Sequence, residues 1–232
     1  MRVFINNSPS KGPAQVLIFF AYIAVLLGFA ACESSVKKSY NENGLLISKL
    51  SYDEDGKLHG ICYWYFDNGT PQLEATYIHG ILNGKHTRYH ENGKLEEISF
   101  YKNNKADSIS ELYNLNGDLV IRQNYLNDSL HGSFQRWYDN GALAIEGFYS
   151  HGMMHGSWLF YDQSGSIIGK ADFSKGNGIQ KFWHSNGQLQ REIHYQKNLK
   201  HGTETFFFPD GTVEKRINYN QGIQEAEVFQ PN

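Results

Sequence analysis

Eight glycines cut the chain at nearly equal intervals. Gly44, Gly69, Gly93, Gly117, Gly141, Gly165, Gly187 and Gly211 are separated by 25, 24, 24, 24, 24, 22 and 24 residues. A period held this closely over eight copies makes the chain a repeat protein, in which each copy is one supersecondary unit stabilised by its neighbours. The unit is clearest in residues 132–156. Two aromatic-containing runs flank Asp139-Asn140-Gly141, a tripeptide suited to a hairpin loop whose glycine takes the left-handed angle that closes a type I turn plus bulge. A second small-residue stretch, from Ser150-His151-Gly152 to His155-Gly156, hands the chain to the next copy. Each repeat is therefore expected to be one β-hairpin plus a connector.

Counting from the turn glycines gives the expected core. Four residues before them stand Tyr40, Tyr65, Tyr89, Tyr113, Trp137, Tyr161, Trp183 and Phe207; eight after them stand Tyr52, Tyr77, Tyr101, Tyr125, Tyr149, Phe173, Tyr195 and Tyr219. Two after them the residue is aliphatic (Leu46, Leu95, Leu119, Leu143, Ile167, Leu189, Val213), with Pro71 as the exception. These offsets are all even, so strand alternation predicts that they share one face and form one core. Trp137 is expected opposite Leu143, and Tyr89 opposite Leu95. Eleven residues after each glycine come Asp55, Gly80, Asn104, Asp128, Gly152, Gly176, Asn198 and Gly222, all types that tolerate left-handed backbone, so a second turn is predicted at a fixed place.

The run Tyr-x-x-Asn-Gly-x-Leu, a following aromatic, and His-Gly or Asn-Gly before the next strand resembles the MORN-repeat variant of bacterial proteins, often grouped as YwqK-type antitoxins. The resemblance spans about residues 40–222. It implies an all-β fold, an elongated single-layer antiparallel meander of about eight stacked hairpins, and a role in binding proteins, in some members as an antitoxin. Ser108 stands where the pattern has a connector glycine, the connector before Gly178 is shortened, and Ala226 stands where an eighth connector would end.

Residues 1–31 have a different character. Arg2 and Lys11 precede an apolar run from Val16 to Ala31, and Phe29-Ala30-Ala31-Cys32 closes it with small residues before a cysteine. This looks like a bacterial lipoprotein signal, with Cys32 as the acylated first residue of the mature chain, although Phe29 replaces the usual leucine. An uncleaved anchor is the alternative, and the run is slightly short of the roughly 20 residues that span a bilayer comfortably. Residues 32–39 are then a lipidated cysteine and tether, 40–222 the repeats, and 223–232 a C-terminal tail. The tether, at full extension roughly 25 Å, would hold the repeats near a bacterial membrane on its periplasmic or surface side. Only Cys32 and Cys62 occur, so a lipidated Cys32 leaves no disulfide framework. Cys62 falls at an odd offset and is expected on the non-core face.

Composition narrows the partners. Lys and Arg total 21 against 24 Asp and Glu, for a net charge of −3 without a long basic run, which argues against nucleic acid, where affinity rests on neutralising phosphates. Asp53-Glu54-Asp55-Gly56 lacks the alternating oxygen ligands and terminal Glu of a calcium loop, so an acidic turn is expected. His59, His131, His155 and His201 directly precede connector glycines; copies in adjacent repeats should lie roughly 10 Å apart, too far to share a metal whose ligands sit about 2 Å from it. His151 and His155, in one loop, are the pair expected to be able to converge. No nucleophile elbow, zinc-protease motif or phosphate-binding loop occurs. No catalytic residue, metal or cofactor is expected, and the chain reads as a non-enzyme.

Phe160, Phe182 and Phe206 all lie five before a turn glycine and are expected to line up as an apolar ridge, either an interaction surface rimmed by Asp162, Lys181 and His184 or a second core. Open edges at the first and last repeats can accept another strand, which makes end-to-end self-association an expectation. The leading functional expectation is an envelope-anchored scaffold that binds a toxin or envelope protein. The alternative is an aromatic repeat module for cell wall or carbohydrate, against which stands the absence of paired Gly-Trp at strand starts.

Overall fold

The computed structural model describes residues 35–229, with side chains to residue 225. The signal segment and Cys32 lie outside the described residues. Within them the chain is a single sheet of 18 strands, from β1 (Ser35–Tyr40) to β18 (Ile223–Phe229), and no helix occurs among them. Every ladder is antiparallel and joins successive strands, save that Gly202–Phe207 also pairs with Leu189–Gln196 past the two-residue strand Leu199–Lys200. The all-β meander of hairpins is thus as expected. Its ends are not. Ser35–Tyr40, expected as tether, is the first strand, and Ile223–Phe229, expected as tail, pairs with Val213–Asn220.

The eight hairpins are numbered by their turn glycines, from hairpin 1 at Gly44 to hairpin 8 at Gly211. Each of these glycines has φ between +77° and +86°. Each donates its N–H to the carbonyl three residues back, as Gly141 does to Tyr138 at 2.9 Å, which closes the predicted type I turn with glycine at the left-handed position. The predicted cross-strand pairs also form, Trp137 opposite Leu143 and Tyr89 opposite Leu95.

The face assignment, however, has to be corrected. In every hairpin the register slips by one residue just past the turn: Tyr161 faces Ile167, but Phe160 faces Gly169. The unpaired residue is the third after the glycine: Ile47, Gln72, Glu96, Val120, Ala144, Ile168, Gln190 and Glu214. Such a bulge resets the alternation. The aromatics four before the glycine and the aliphatics two after it therefore occupy one face, the outer face, while the aromatics eight after it lie on the other. The core runs along that second face, through the pair seven before and six after each glycine. Cys62 with Ala75, Trp158 with Ala171, Gln180 with Ile193 and Glu204 with Ile217 are buried there. Cys62, expected on the non-core face, is 0% exposed, and burial pushes its thiol above the ordinary value.

The connectors contain two-residue turns in which both residues are left-handed, such as His151 (φ 50) and Gly152 (φ 77), the geometry that matches strand twist. Seven of them fall at the predicted position. The first does not: its extra residue, visible as the 25-residue spacing, builds a longer turn in which Gly56 rather than Asp55 is left-handed. After most connectors one residue opposes three, as Thr76 does between the pairs Ala75–His86 and Tyr77–Leu82. The ladder between Ile167–Ser174 and Asn177–Trp183 has no such bulge, so the 22-residue spacing marks the loss of these two residues.

The turns are also tied to one another. Tyr138 Oη donates to the Tyr161 carbonyl at 2.7 Å, and His90 and His184 Nε2 donate to the carbonyls of Tyr113 and Phe207 at 3.0 and 2.9 Å. Asn92, Asn140 and Asn186 donate side-chain amides to the carbonyls of Leu115, Gln163 and Pro209. The partners are 23 residues apart, so these bonds fasten the third turn to the fourth, the fifth to the sixth and the seventh to the eighth.

Candidate interaction surface

Phe160, Phe182 and Phe206 do form one row, but the row lies on the core face, and all three rings are half-buried. Phe160 packs against the buried cluster of Trp158, Ala171 and Phe173, and its ring centroid is 5.3 Å from that of Phe182. Gly169, which separates them on the intervening strand, has no side chain to hold them apart. Phe206 is covered by the Arg191 guanidinium and the Lys215 ammonium, each 4.9 Å from its ring centre, placements that favour cation–π attraction. An exposed ridge is therefore not what the geometry gives. The row is an outward extension of the core.

The outer face holds a second aromatic file. Tyr65, Tyr89, Tyr113, Trp137, Tyr161, Trp183 and Phe207 are half-buried, each against its partner two past the turn. Carboxylates fix two of them. Tyr161 donates to Glu146 at 2.6 Å, and Tyr113 to Glu111 at 2.7 Å, with Arg122 on the other Glu111 oxygen at 2.8 Å. The bond to Glu146, with burial, pushes the Tyr161 hydroxyl up to about 12; burial, with the bond to Glu111, does the same for Tyr113. Both rings stay neutral and anchored throughout the physiological range.

Between hairpins 6 and 7 this file opens into a groove of about 730 Å³, lined by Ile167, Ile168, Trp183, Lys170, Asp162 and His184, among others. Ile167 is 48% exposed. Its walls combine the apolar side chains Ile167, Ile168 and Trp183 with the charged groups Lys170 and Asp162. Sequence reasoning missed this cleft because it placed Ile167 and Trp183 in the core. The signal that could have found it, a β-branched pair at Ile167-Ile168 where most other repeats have a polar or small second residue (Gln72, Glu96, Ala144, Gln190, Glu214), depends on knowing where the bulge falls.

The histidines depart from expectation too. His151 does not pair with His155. It lies against His131, with ring centroids 4.9 Å apart, and His59 lies equally close to His79. The residue before a connector glycine meets the first residue of the next connector turn, 20 positions on. Comparing equivalent positions alone does not bring these two residues together. Asp53 joins the first of these pairs: its Oδ2 is 2.7 Å from His79 Nδ1, and Lys57 N donates to its Oδ1 at 2.8 Å. The Lys57 amide, ahead of the His79 contact, holds the Asp53 carboxyl below its usual range despite desolvation.

Compared with known families, residues 58–79, 82–103, 130–151, 154–175, 177–197 and 200–221 match the MORN repeat variant, together more than half of the 232 residues. The chain belongs to the MORN repeat variant family. The two hairpins that fall outside the matched MORN segments are the first, with its longer connector, and the fourth, where Ser108 replaces glycine. No curated protein matches the chain. Among solved structures, a chain of "Crystal Structure of TcdB2-TccC3-Cdc42" aligns at 12% identity and a TM-score of 0.18, over 80% of this chain and 15% of that one. A likeness that faint bears on neither the fold of the MORN sheet nor its function.

Proposed function

We propose that this MORN repeat protein is a non-enzymatic scaffold, anchored to a bacterial envelope membrane by a lipid on Cys32, that holds a protein partner against the outer face of its sheet. The observation that carries this reading is the groove at Ile167, Ile168 and Trp183, an accessible apolar cleft with charged walls on a sheet whose other apolar face is taken up by its own core. Neutralisation of a toxin is the specific form suggested by the resemblance to antitoxin members of the family. An exported immunity protein would meet an incoming toxin at the membrane.

The test is crosslinked affinity capture by the full chain in its native envelope, beside Ile167→Asp and a triple change of Phe160, Phe182 and Phe206 to serine. Ile167 is the better probe because its exposed atoms can change without opening the core. A single stoichiometric protein that is lost with Ile167→Asp is the expected result, and a toxin among such partners would establish the immunity role. Loss only with the phenylalanine variant, while that variant stays folded, would move the surface to the other face. Recovery of glycan fragments in place of protein would overturn the reading in favour of wall binding.

A further inference from the structure

We propose that Asp53, His59 and His79 form a binding site for a late first-row divalent metal ion, with Zn²⁺ the ion that fits best, and that this ion staples the terminal hairpin to the next repeat. Each of the three residues offers one donor atom, and these atoms all lie within 4.8 Å of one another. Ligands about 2 Å from a tetrahedral ion stand roughly 3.3 Å apart, so side-chain rotation alone closes the remaining gap. Two imidazoles and a carboxylate suit Zn²⁺ and its neighbours in the series and suit Mg²⁺ and Ca²⁺ poorly.

The site is built by one change in the repeat. The pair His131 and His151 has the same 4.9 Å ring separation as His59 and His79, and the same 3.4 Å contact from the later backbone N–H to the earlier Nδ1. Only the first connector has the extra residue, and that longer turn opens with Asp53. The Asp53 side chain is 6% exposed, with Oδ1 fixed by the Lys57 amide and Oδ2 turned to the histidines. Holding a carboxylate by its second oxygen in this way orients it for metal. His79 is 62% exposed, so water can reach the ion and complete its coordination. Binding through His79 Nδ1 requires that ring to carry its proton on Nε2, a tautomer exchanged through solvent, or to release one proton if the ring is charged, and the long contact at His59 to give way to a metal–nitrogen bond.

The test uses the full chain in detergent, stripped with chelator and titrated with ZnCl₂ by calorimetry. One Zn²⁺ per chain is expected, weakened tenfold or more by Asp53→Asn and by His79→Gln and unchanged by His131→Gln, the natural control without a carboxylate. Asn keeps the acceptor for Lys57, so the turn should survive, and circular dichroism checks this. In the unaltered chain, Zn²⁺ should also slow amide exchange in residues 53–60 and 78–80. Absence of saturable binding, equal weakening by His131→Gln, indifference to Asp53→Asn, or exchange that zinc leaves unchanged would each overturn the proposal.

Discussion

Gly147 shows how much one absent side chain can decide. It lies six residues past its turn glycine, in the buried column, directly opposite Phe134. A Cβ built there would fall inside the Trp158 indole. Because none is present, Trp158 crosses the intervening strand and stacks on Phe134 with centroids 5.6 Å apart and an interplanar angle of 30°, while Tyr149 and Phe173 meet it edge-on at 5.0 and 6.2 Å. Trp158 is 4% exposed as a result. In an ordinary strand, Gly→Ala is favourable by roughly 0.5–1 kcal/mol. Here Gly147→Ala must displace the indole, and overpacking of that kind costs about 1–3 kcal/mol, occasionally more. The expected outcome is a lower midpoint of denaturant unfolding together with a changed near-ultraviolet dichroism of tryptophan; an unchanged or raised midpoint would show that the ring has another place to go. Glu204, 1% exposed, fills the same column in hairpin 8 with a buried carboxylate held between two half-buried cations, Arg191 and Lys200. Removing both cations would leave that buried carboxylate unpaired, which is strongly destabilising.

At the scale of the hairpin and its connector, what the sequence made legible was what is local. The turn glycines, the type I turns and the two-residue connectors each depend on a residue type at a fixed offset. The bulge does not. Its unpaired residue is variously Ile47, Gln72, Glu96 or Ala144, a chemically mixed set, and one undetected residue moves every later side chain to the other face. That single slip hid the burial of Cys62, put Trp137 in the core and kept the Ile167 groove out of view. The histidine cluster was obscure for a related reason, since its members belong to different offsets in successive repeats. Ser108 gives the sharpest element-scale prediction. It has φ +82 where the equivalent residues are Gly60, Gly84, Gly132, Gly156 and Gly202, all with positive φ, and its side chain is exposed. Left-handed backbone costs a non-glycine residue roughly 1–2 kcal/mol, part of which glycine gives back through its greater freedom when unfolded. Ser108→Gly is therefore expected to stabilise the fourth hairpin by about 0.5–1 kcal/mol, read as slower amide exchange in Lys105–Tyr113 and Leu119–Leu126; faster exchange there would mean the serine makes a contact worth more than its strain.

Across the described sheet the buried column is not uniform. From hairpin 2 to hairpin 4 it reads Cys62, Ala75, His86, Ser99, Ser110 and Gln123, small or polar; from hairpin 5 to hairpin 7 it gains Phe134, Trp158 and Ile193, while the flanking aromatic eight past the turn is present in both halves, as Tyr77, Tyr101 and Tyr125 and as Tyr149, Phe173 and Tyr195. A buried aromatic removes about 150–250 Å² from water, on the order of 4–6 kcal/mol per ring at about 25 cal/mol per Å², whereas a serine or alanine at the same position removes little. In a linear array the stability of each hairpin is its own plus that of its two interfaces, so such a difference should appear as a gradient along the chain. The first strand, exposed at all six residues, has one neighbour and should open most readily. Amide exchange followed by mass spectrometry is expected to show the slowest exchange from Ser129–Trp137 through Leu189–Gln196 and the fastest in Ser35–Tyr40, with zinc raising protection only around the first two connectors. Uniform protection would instead mean that the sheet opens as one cooperative unit and that the turn-to-turn bonds outweigh the uneven core. The gradient also bears on binding. The groove at Ile167 and Trp183 lies on the outer face of the hairpins whose core face carries the aromatic cluster, so the proposed partner would meet the part of the sheet least able to deform, and little of its binding energy would be spent on ordering that surface.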